Sequence, residues 1–190
     1  MPETIERVNW IIDDLEFLPH SEGTIYEIIA GELFIIPTPH RRHQQICGII
    51  FSHLHNWSEA TGNGATIITP LIIFSDTDNV IPDVVWVSQE RLAQIEDEAG
   101  HLTGAPELVV EVISFGKENE KRDREVKVKL YSIQGVKEYW IVDRFRKQVE
   151  VYGREKGKLT LVATLFEKDE LTSPLLPNFG VVITRFFPVK

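Results

Sequence analysis

Two carboxylates that interrupt apolar runs and one lysine on the inward face of a helix could together hold a divalent cation beside a reactive water. Glu111 lies in the middle of ELVVEVIS. That run reads as a strand covered on both faces, where a carboxylate is costly to bury unless a cation or metal accompanies it. Asp83 interrupts IPDVVWVS, and strand alternation would put it on one face with Ile81, Val85 and Val87. Lys127 belongs to the helical stretch DREVKVKLYSIQG. On a wheel of about 100° per residue with Val126 at zero, Ile133 falls at about −20°, Leu130 at about 40°, Lys127 at about 100° and Tyr131 at about 140°. Lys127 therefore stands inside the arc expected to face the sheet, whereas Lys129, at about 300°, can reach water along its stem. Mg²⁺ binds through one or two carboxylates, with water and substrate phosphate in its other positions. A neighbouring lysine can orient the attacking water or stabilise charge developing on phosphate. The bland alternative is a buried Glu111–Lys127 ion pair with Asp83 satisfied by backbone donors, a costly way to stabilise a core that apolar residues would fill as well.

The elements that must position these residues follow from pattern. Residues 107–143 read as strand, charged connection, helix and strand, with Val136–Val142 parallel to Leu108–Ile113 through a right-handed crossover. Upstream, Thr24–Ala30 and Glu32–Ile36 form a hairpin turning at Ala30-Gly31. Glu27 shares a face with Ile25 and Ile29, and reads either as a third inward acid or as an ordinary carboxylate on a half-exposed strand. Residues 5–17 carry a short helical pattern, and residues 41–60 a longer one through Ile46, Ile49/Ile50, Leu54 and Trp57. His43, His53 and His55 fall in or near that second helix, but no pair is four apart, so zinc ligation is poorly supported. Ala65–Phe74 and Val80–Ser88 are expected as strands separated by the turn SDTDN. Its Asp76 and Asp78 lack the glycine and terminal glutamate of a calcium loop. SQERLAQIEDEAGHLTGAP reads as an exposed helical linker. Lys147–Tyr152 and Lys158–Leu165 read as a hairpin, and Val181–Thr184 as a short closing strand.

Composition narrows the function classes. A chain of 190 residues, 43% apolar and 26% charged, suits one domain: a peripheral helix over 1–20, a core over 24–143, and a C-terminal hairpin and closing strand over 147–190. The lone cysteine, Cys47, excludes an internal disulfide and favours a reducing compartment. The acidic N-terminal stretch lacks signal-peptide order, and no apolar run approaches a membrane span, so a cytoplasmic location without a membrane partner is expected. Nucleotide-binding glycine loops and Ser-His-Asp constellations are absent from the sequence, and no organic cofactor is expected. A net charge of −9 counts against a nucleic-acid binder. The distribution softens this, because residues 1–116 carry −14 while 117–147 carry +4, a concentration that would suit a phosphate-attracting rim around the candidate site.

Asp83, Glu111 and Lys127 resemble the PD-(D/E)XK signature of restriction-endonuclease-like nucleases. More narrowly, the chain resembles the Uma-type endonuclease family, long catalogued as a domain of unknown function. The matching segments are YEIIAGELFII, IPDVVWVS, GAPELVVEVIS, DREVKVKLY, GVKEYWIVD and SPLLPNFGVVI, which cover nearly the whole chain in order. The chain departs from the superfamily where the lysine normally stands two residues after the second acid. That position is Ile113, and in the Uma-type pattern the lysine has migrated to the helix, as Lys127. The resemblance implies an α/β fold with a mixed central sheet flanked by helices and β-hairpin additions at both ends. It implies Mg²⁺-dependent hydrolysis of DNA, with Mn²⁺ as a substitute ion. Asp83, Glu111 and the main-chain carbonyl of Val112 would hold the metal, Lys127 would position or activate water, and Glu27 would extend the acidic site. His43 matches a histidine common in the family's first helix. Two rival readings stand beside it: a non-catalytic module that keeps the nuclease fold and forms a homodimer through its hairpins or apolar terminal segments, and a toxin-like RNase that uses the same acids. The chain contains no separate DNA-reading module, so any specificity must come from loops, shape or a partner.

Overall fold

The computed structural model describes residues 8–19 and 23–188. A 3₁₀ turn at Ile12–Phe17 precedes the hairpin β1 (Ile25–Ile29) and β2 (Glu32–Ile36), then helix α1 (Arg41–Thr61). Next come β3 (Gly64–Ile68), β4 (Ile72–Ser75), β5 (Asp78–Val80), β6 (Val84–Ser88) and α2 (Gln89–Ile95). The centre of the chain is β7 (Leu108–Val112), α3 (Lys117–Lys121), a π turn at Arg122–Val126, α4 (Lys127–Gln134) and β8 (Glu138–Asp143). β9 (Gln148–Glu155), β10 (Lys158–Phe166), β11 (Glu170–Ser173), β12 (Leu176–Val182) and a 3₁₀ turn at Ile183–Phe186 complete the described chain.

The mixed α/β architecture expected from the sequence is present. Six strands form the main sheet in the order β10-β9-β8-β7-β6-β3, with β7 and β8 parallel and the other pairings antiparallel. A parallel pair needs a crossover, which the helical run between β7 and β8 supplies. Because both faces are covered, β6, β7 and β8 are apolar on both. Val84, Trp86, Val110 and Trp140 pack under α1 and the C-terminal residues Phe179 and Phe186. Val85, Val109, Tyr139 and Ile141 pack under α4 and a second sheet of order β2-β1-β5-β4.

Several elements depart from the sequence expectations. Ala65–Phe74 is not one strand. Thr69 takes a positive φ of 48° before Pro70, and β3 and β4 on either side join different sheets. Val80–Ser88 is likewise divided at Ile81-Pro82-Asp83, where proline has no N–H to give a ladder and the Ile81 N–H is donated to Glu27 Oε1 at 2.9 Å. Asp83 therefore stands at the mouth of β6, not within a pleat shared with Ile81. The stretch after α2 is no exposed helix, because Leu102 bridges to Ile72 and Glu96 and is buried. The closing strand lies earlier and is longer than expected, covering Leu176–Val182 and pairing with β11, whereas Ile183 and Thr184 belong to the 3₁₀ turn that follows. Of the N-terminal helical pattern, residues 5–7 lie outside the described residues, and the rest contains the 3₁₀ turn. Ile133 is 69% exposed, so the buried arc of α4 is centred on Leu130, Lys127 and Tyr131 and stops short of it.

Candidate active site

A strand under an apolar helix normally receives apolar side chains, yet the helix gives β7 a lysine. Lys127, 1% exposed, donates from Nζ to Glu111 Oε1 at 2.8 Å and to Glu27 Oε1 at 2.9 Å. Tyr131, one turn along, donates its hydroxyl to the same Glu111 Oε1 at 3.1 Å. Glu27 reaches the group because β1 pairs with β5 and turns that residue inward. Its Oε1 takes both Lys127 and the Ile81 N–H, while its Oε2 is buried without a partner among the described residues.

Asp83 approaches from the β6 side. The Val112 N–H, next to Glu111, donates to Asp83 Oδ2 at 2.7 Å, and His43 Nε2 of α1 lies 3.2 Å from the same oxygen. The other ring nitrogen of His43 lies 3.5 Å from Cys47 Sγ. One potential ligand atom each from His43, Cys47 and Asp83 falls within a 4.8 Å cluster. The two ring nitrogens face different partners, so the group is better built as a relay than as a cage. Burial, followed by Asp83 and Glu111, pushes the Cys47 thiol well up, and the thiol form is a poor metal ligand. Burial disfavours the charged His43 ring, but Asp83 and the Val112 backbone outweigh it, and the net shift is upward.

Acids exceed cations here. Burial pushes Glu111 up to about 8 against the pull of Lys127, with Asp83, Asp123 and Glu27 adding to the rise. Asp123, buried in the π turn, is also raised, first by burial, despite Lys127 and Arg122. Burial penalises the Lys127 ammonium, but Glu111 and Glu27 more than offset it, so its pKa is raised and it stays charged. This electrostatic pattern suits a divalent cation, and the donor set does too. Among the described residues, hydrogen bonds converge on one oxygen of each of Glu111, Glu27 and Asp83, leaving the other carboxylate oxygens to serve a hard ion that takes one or two carboxylates. Asp83, with 15% side-chain exposure against 5% for Glu111, is the open end of the group.

Of the sequence candidates, the structure joins Glu27, Glu111 and Lys127 directly, and links Asp83 through the Val112 backbone. Lys127 sits between the two glutamates, and among the described residues Asp83 makes no ion pair with it. His53 and His55 lie away from this group: His53 is near Phe186, and His55 stacks on Phe51. Sequence reasoning missed Asp123 and Arg122, paired at 3.0 Å and both buried. The signal was available, since Asp123 falls at about 60° on the same wheel, between Leu130 and Lys127. The phosphate rim expected of residues 117–147 is largely neutralised within the fold. Arg124 pairs with Glu120, Asp143 and Glu150, while Arg146 pairs with Glu120 and Asp143.

Comparison with known proteins agrees with this architecture. A crystal structure described as "a putative nuclease belonging to DUF820 from Anabaena variabilis" superposes with a TM-score of 0.73 at 17% identity, covering 93% of this chain and 97% of that one. At that identity the likeness is one of fold. No curated protein matches the chain. Residues 12–185 match the family named Uma2 and described as "Putative restriction endonuclease", and the chain belongs to that family.

Proposed function

We propose that the protein is a divalent-metal-dependent endonuclease that hydrolyses DNA phosphodiester bonds at Asp83, Glu111 and Lys127, with Glu27 fixing the lysine. The observation that carries this reading is the one-sided satisfaction of the carboxylates. Among the described residues both donors to Glu111 meet at Oε1, both donors to Glu27 meet at its Oε1, and Glu27 Oε2 is buried unpaired. A purely structural cluster would be expected to satisfy both oxygens, because an unmatched buried acceptor costs about 1–3 kcal/mol.

Mg²⁺, or Mn²⁺ in its place, would be held by Asp83, Glu111 and the Val112 carbonyl, and supplies a water of lowered pKa and a Lewis acid for the phosphoryl oxygens. Lys127 stays protonated between Glu27 and Glu111. It therefore serves as a hydrogen-bond donor that orients water or meets developing negative charge, and not as the proton acceptor. Tyr131 and Glu27 hold Glu111 and the Lys127 ammonium in place. In the reaction the water oxygen bonds to phosphorus and gives up one proton to solvent, one P–O ester bond breaks, and the leaving oxygen takes up a proton from solvent.

The test is nicking of supercoiled DNA and cleavage of single-stranded DNA with Mg²⁺ or Mn²⁺. Asp83→Ala and Glu111→Gln are each expected to lower the metal-dependent rate by about 10²–10³-fold or more. Equal rates in wild type and both variants would overturn the assignment. The rival reading, a non-catalytic homodimer, has its own support. The edge strand β10 leaves Leu161, Val162 and Phe166 more than half exposed, and long apolar edges invite strand pairing. A dimer with no cleavage under any of these conditions would favour it.

A further inference from the structure

Arg144, in the turn after β8, differs from its charged neighbours. Among the described residues its guanidinium makes no ion pair, and its Nε is buried without a hydrogen-bond partner. Burial and then Arg42 pull its pKa down, against Asp143. A guanidinium whose planar donors lack an acceptor is built for an oxyanion, phosphate above all.

Two cavities meet at this residue. The smaller, about 180 Å³, is also lined by His43, Ser114, Phe115 and Asn119. His43 is the residue bonded to Asp83, so this cavity abuts the open end of the carboxylate group. The larger, about 690 Å³, continues beyond Arg144 to Arg41, Arg42 and Lys147. Lys147 is engaged with Glu167 at 2.8 Å. Arg41 has only a 3.5 Å contact to Gln45, and the Arg42 side chain has no hydrogen bond or ion pair among the described residues. The cations left for a ligand are therefore ranged outward from Asp83.

An aromatic pair stands beside them. Phe115 follows β7 and Phe145 follows β8, at the same ends of the two parallel strands, and they are 81% and 50% exposed. Their ring centroids are 6.0 Å apart, and the Arg144 guanidinium carbon lies 4.1 Å over the Phe145 ring. Neither ring belongs to a hydrophobic core cluster. Exposed aromatics next to backbone-tracking cations are the apparatus by which proteins hold single-stranded nucleic acid, because every base offers a π-face to stack.

The geometry points to Arg42 and Arg144 as the site for phosphates flanking the cleaved bond, and to Phe115 and Phe145 as the platform for an unpaired base, so that the bound strand is single-stranded at the site. This rests on the nuclease reading above. It predicts a preference that the carboxylates alone do not.

Fluorescence anisotropy in EDTA, with a labelled single strand and a labelled hairpin duplex, separates binding from cleavage. Phe115→Ala should weaken single-strand binding about tenfold and change duplex binding little. Arg42→Ala and Arg144→Ala should weaken both ligands and each lower the single-strand salt slope by about 0.7, while Arg144→Lys retains the slope. Unchanged single-strand affinity in Phe115→Ala, unchanged slopes in both arginine variants, or no binding by the wild type would each overturn the proposal. Metal-dependent cleavage persisting alongside unaltered binding in all variants would remove this track and leave the nuclease reading standing. The predicted binding changes without any cleavage would do the reverse.

Discussion

The Asp143 cluster and the Glu111 cluster both bury carboxylates beside the same helical run, and they satisfy them differently. Asp143 Oδ1 receives the Phe145 and Arg146 N–H groups, and Oδ2 receives the Arg124 and Arg146 guanidinium groups. Glu150 is bonded on both oxygens, Oε1 by Arg124 and Gln148, Oε2 by Arg124 and Tyr152. In the Glu111 cluster the donors crowd onto one oxygen of each acid. The electrostatics diverge in step. Burial would raise the Asp143 carboxyl, but donors from Arg146, Arg124 and Phe145 hold it below the usual range, whereas burial carries Glu111 up to about 8. Two-sided satisfaction makes a fold element. One-sided satisfaction leaves capacity for a ligand.

The strongest test of the contrast is Lys127→Ala. It strands two buried glutamates and should destabilise the fold by about 3–5 kcal/mol in chemical denaturation without metal. Mg²⁺ should recover part of that loss in the variant by taking the place of the missing charge, and no recovery would argue that the acids do not share a cation site. Arg124→Ala should cost less, about 1.5–3 kcal/mol, because its group is partly exposed and water can replace some donors. Cleavage per folded molecule should stay within a few-fold of wild type. A thousandfold loss there would erase the distinction between the two clusters.

The smallest effect is the opposite pH dependence of the two acids. Glu111 binds its proton more tightly folded than unfolded, so its contribution is present below the ordinary value of 4.5 and is lost as pH rises to about 8. Asp143 binds its proton less tightly folded, so its contribution is present above 3.8 and is lost as pH falls through its lower folded value. In EDTA, Glu111→Gln should flatten the decline in stability towards pH 8, and Asp143→Asn the decline in acid. Added Mg²⁺ should stabilise wild type more at pH 8 than at pH 6, because the ion competes with the Glu111 proton. Metal stabilisation independent of pH would count against Glu111 as a ligand.

Legibility followed the range of the interaction. Glu111 and Lys127 could be picked out because each violates a local pattern, a carboxylate in a doubly apolar strand and a lysine on the inward face of a helix. Asp123 violates the same pattern, but from within the charged run KENEKRDRE, where one more acid does not stand out. The wheel also extended the buried arc to Ile133, which the structure leaves in water. The strand breaks at Pro70 and Pro82 were written in the chain, but not the consequence that β4 and β5 would leave the main sheet. Arg144 carried no signal at all, since its lack of a partner depends on where every other charge goes.

By itself the sequence determined the strand–helix–strand centre, the mixed α/β class and the identity of the inward charges, because hydrophobic periodicity and the cost of burying charge act over a few neighbouring residues. Tertiary structure alone decided that Glu27 would meet a lysine 100 positions away, that Asp83 would be tied to the Val112 backbone, and which cations would be neutralised. Those outcomes depend on sheet order and register, which bring together groups that no local pattern relates.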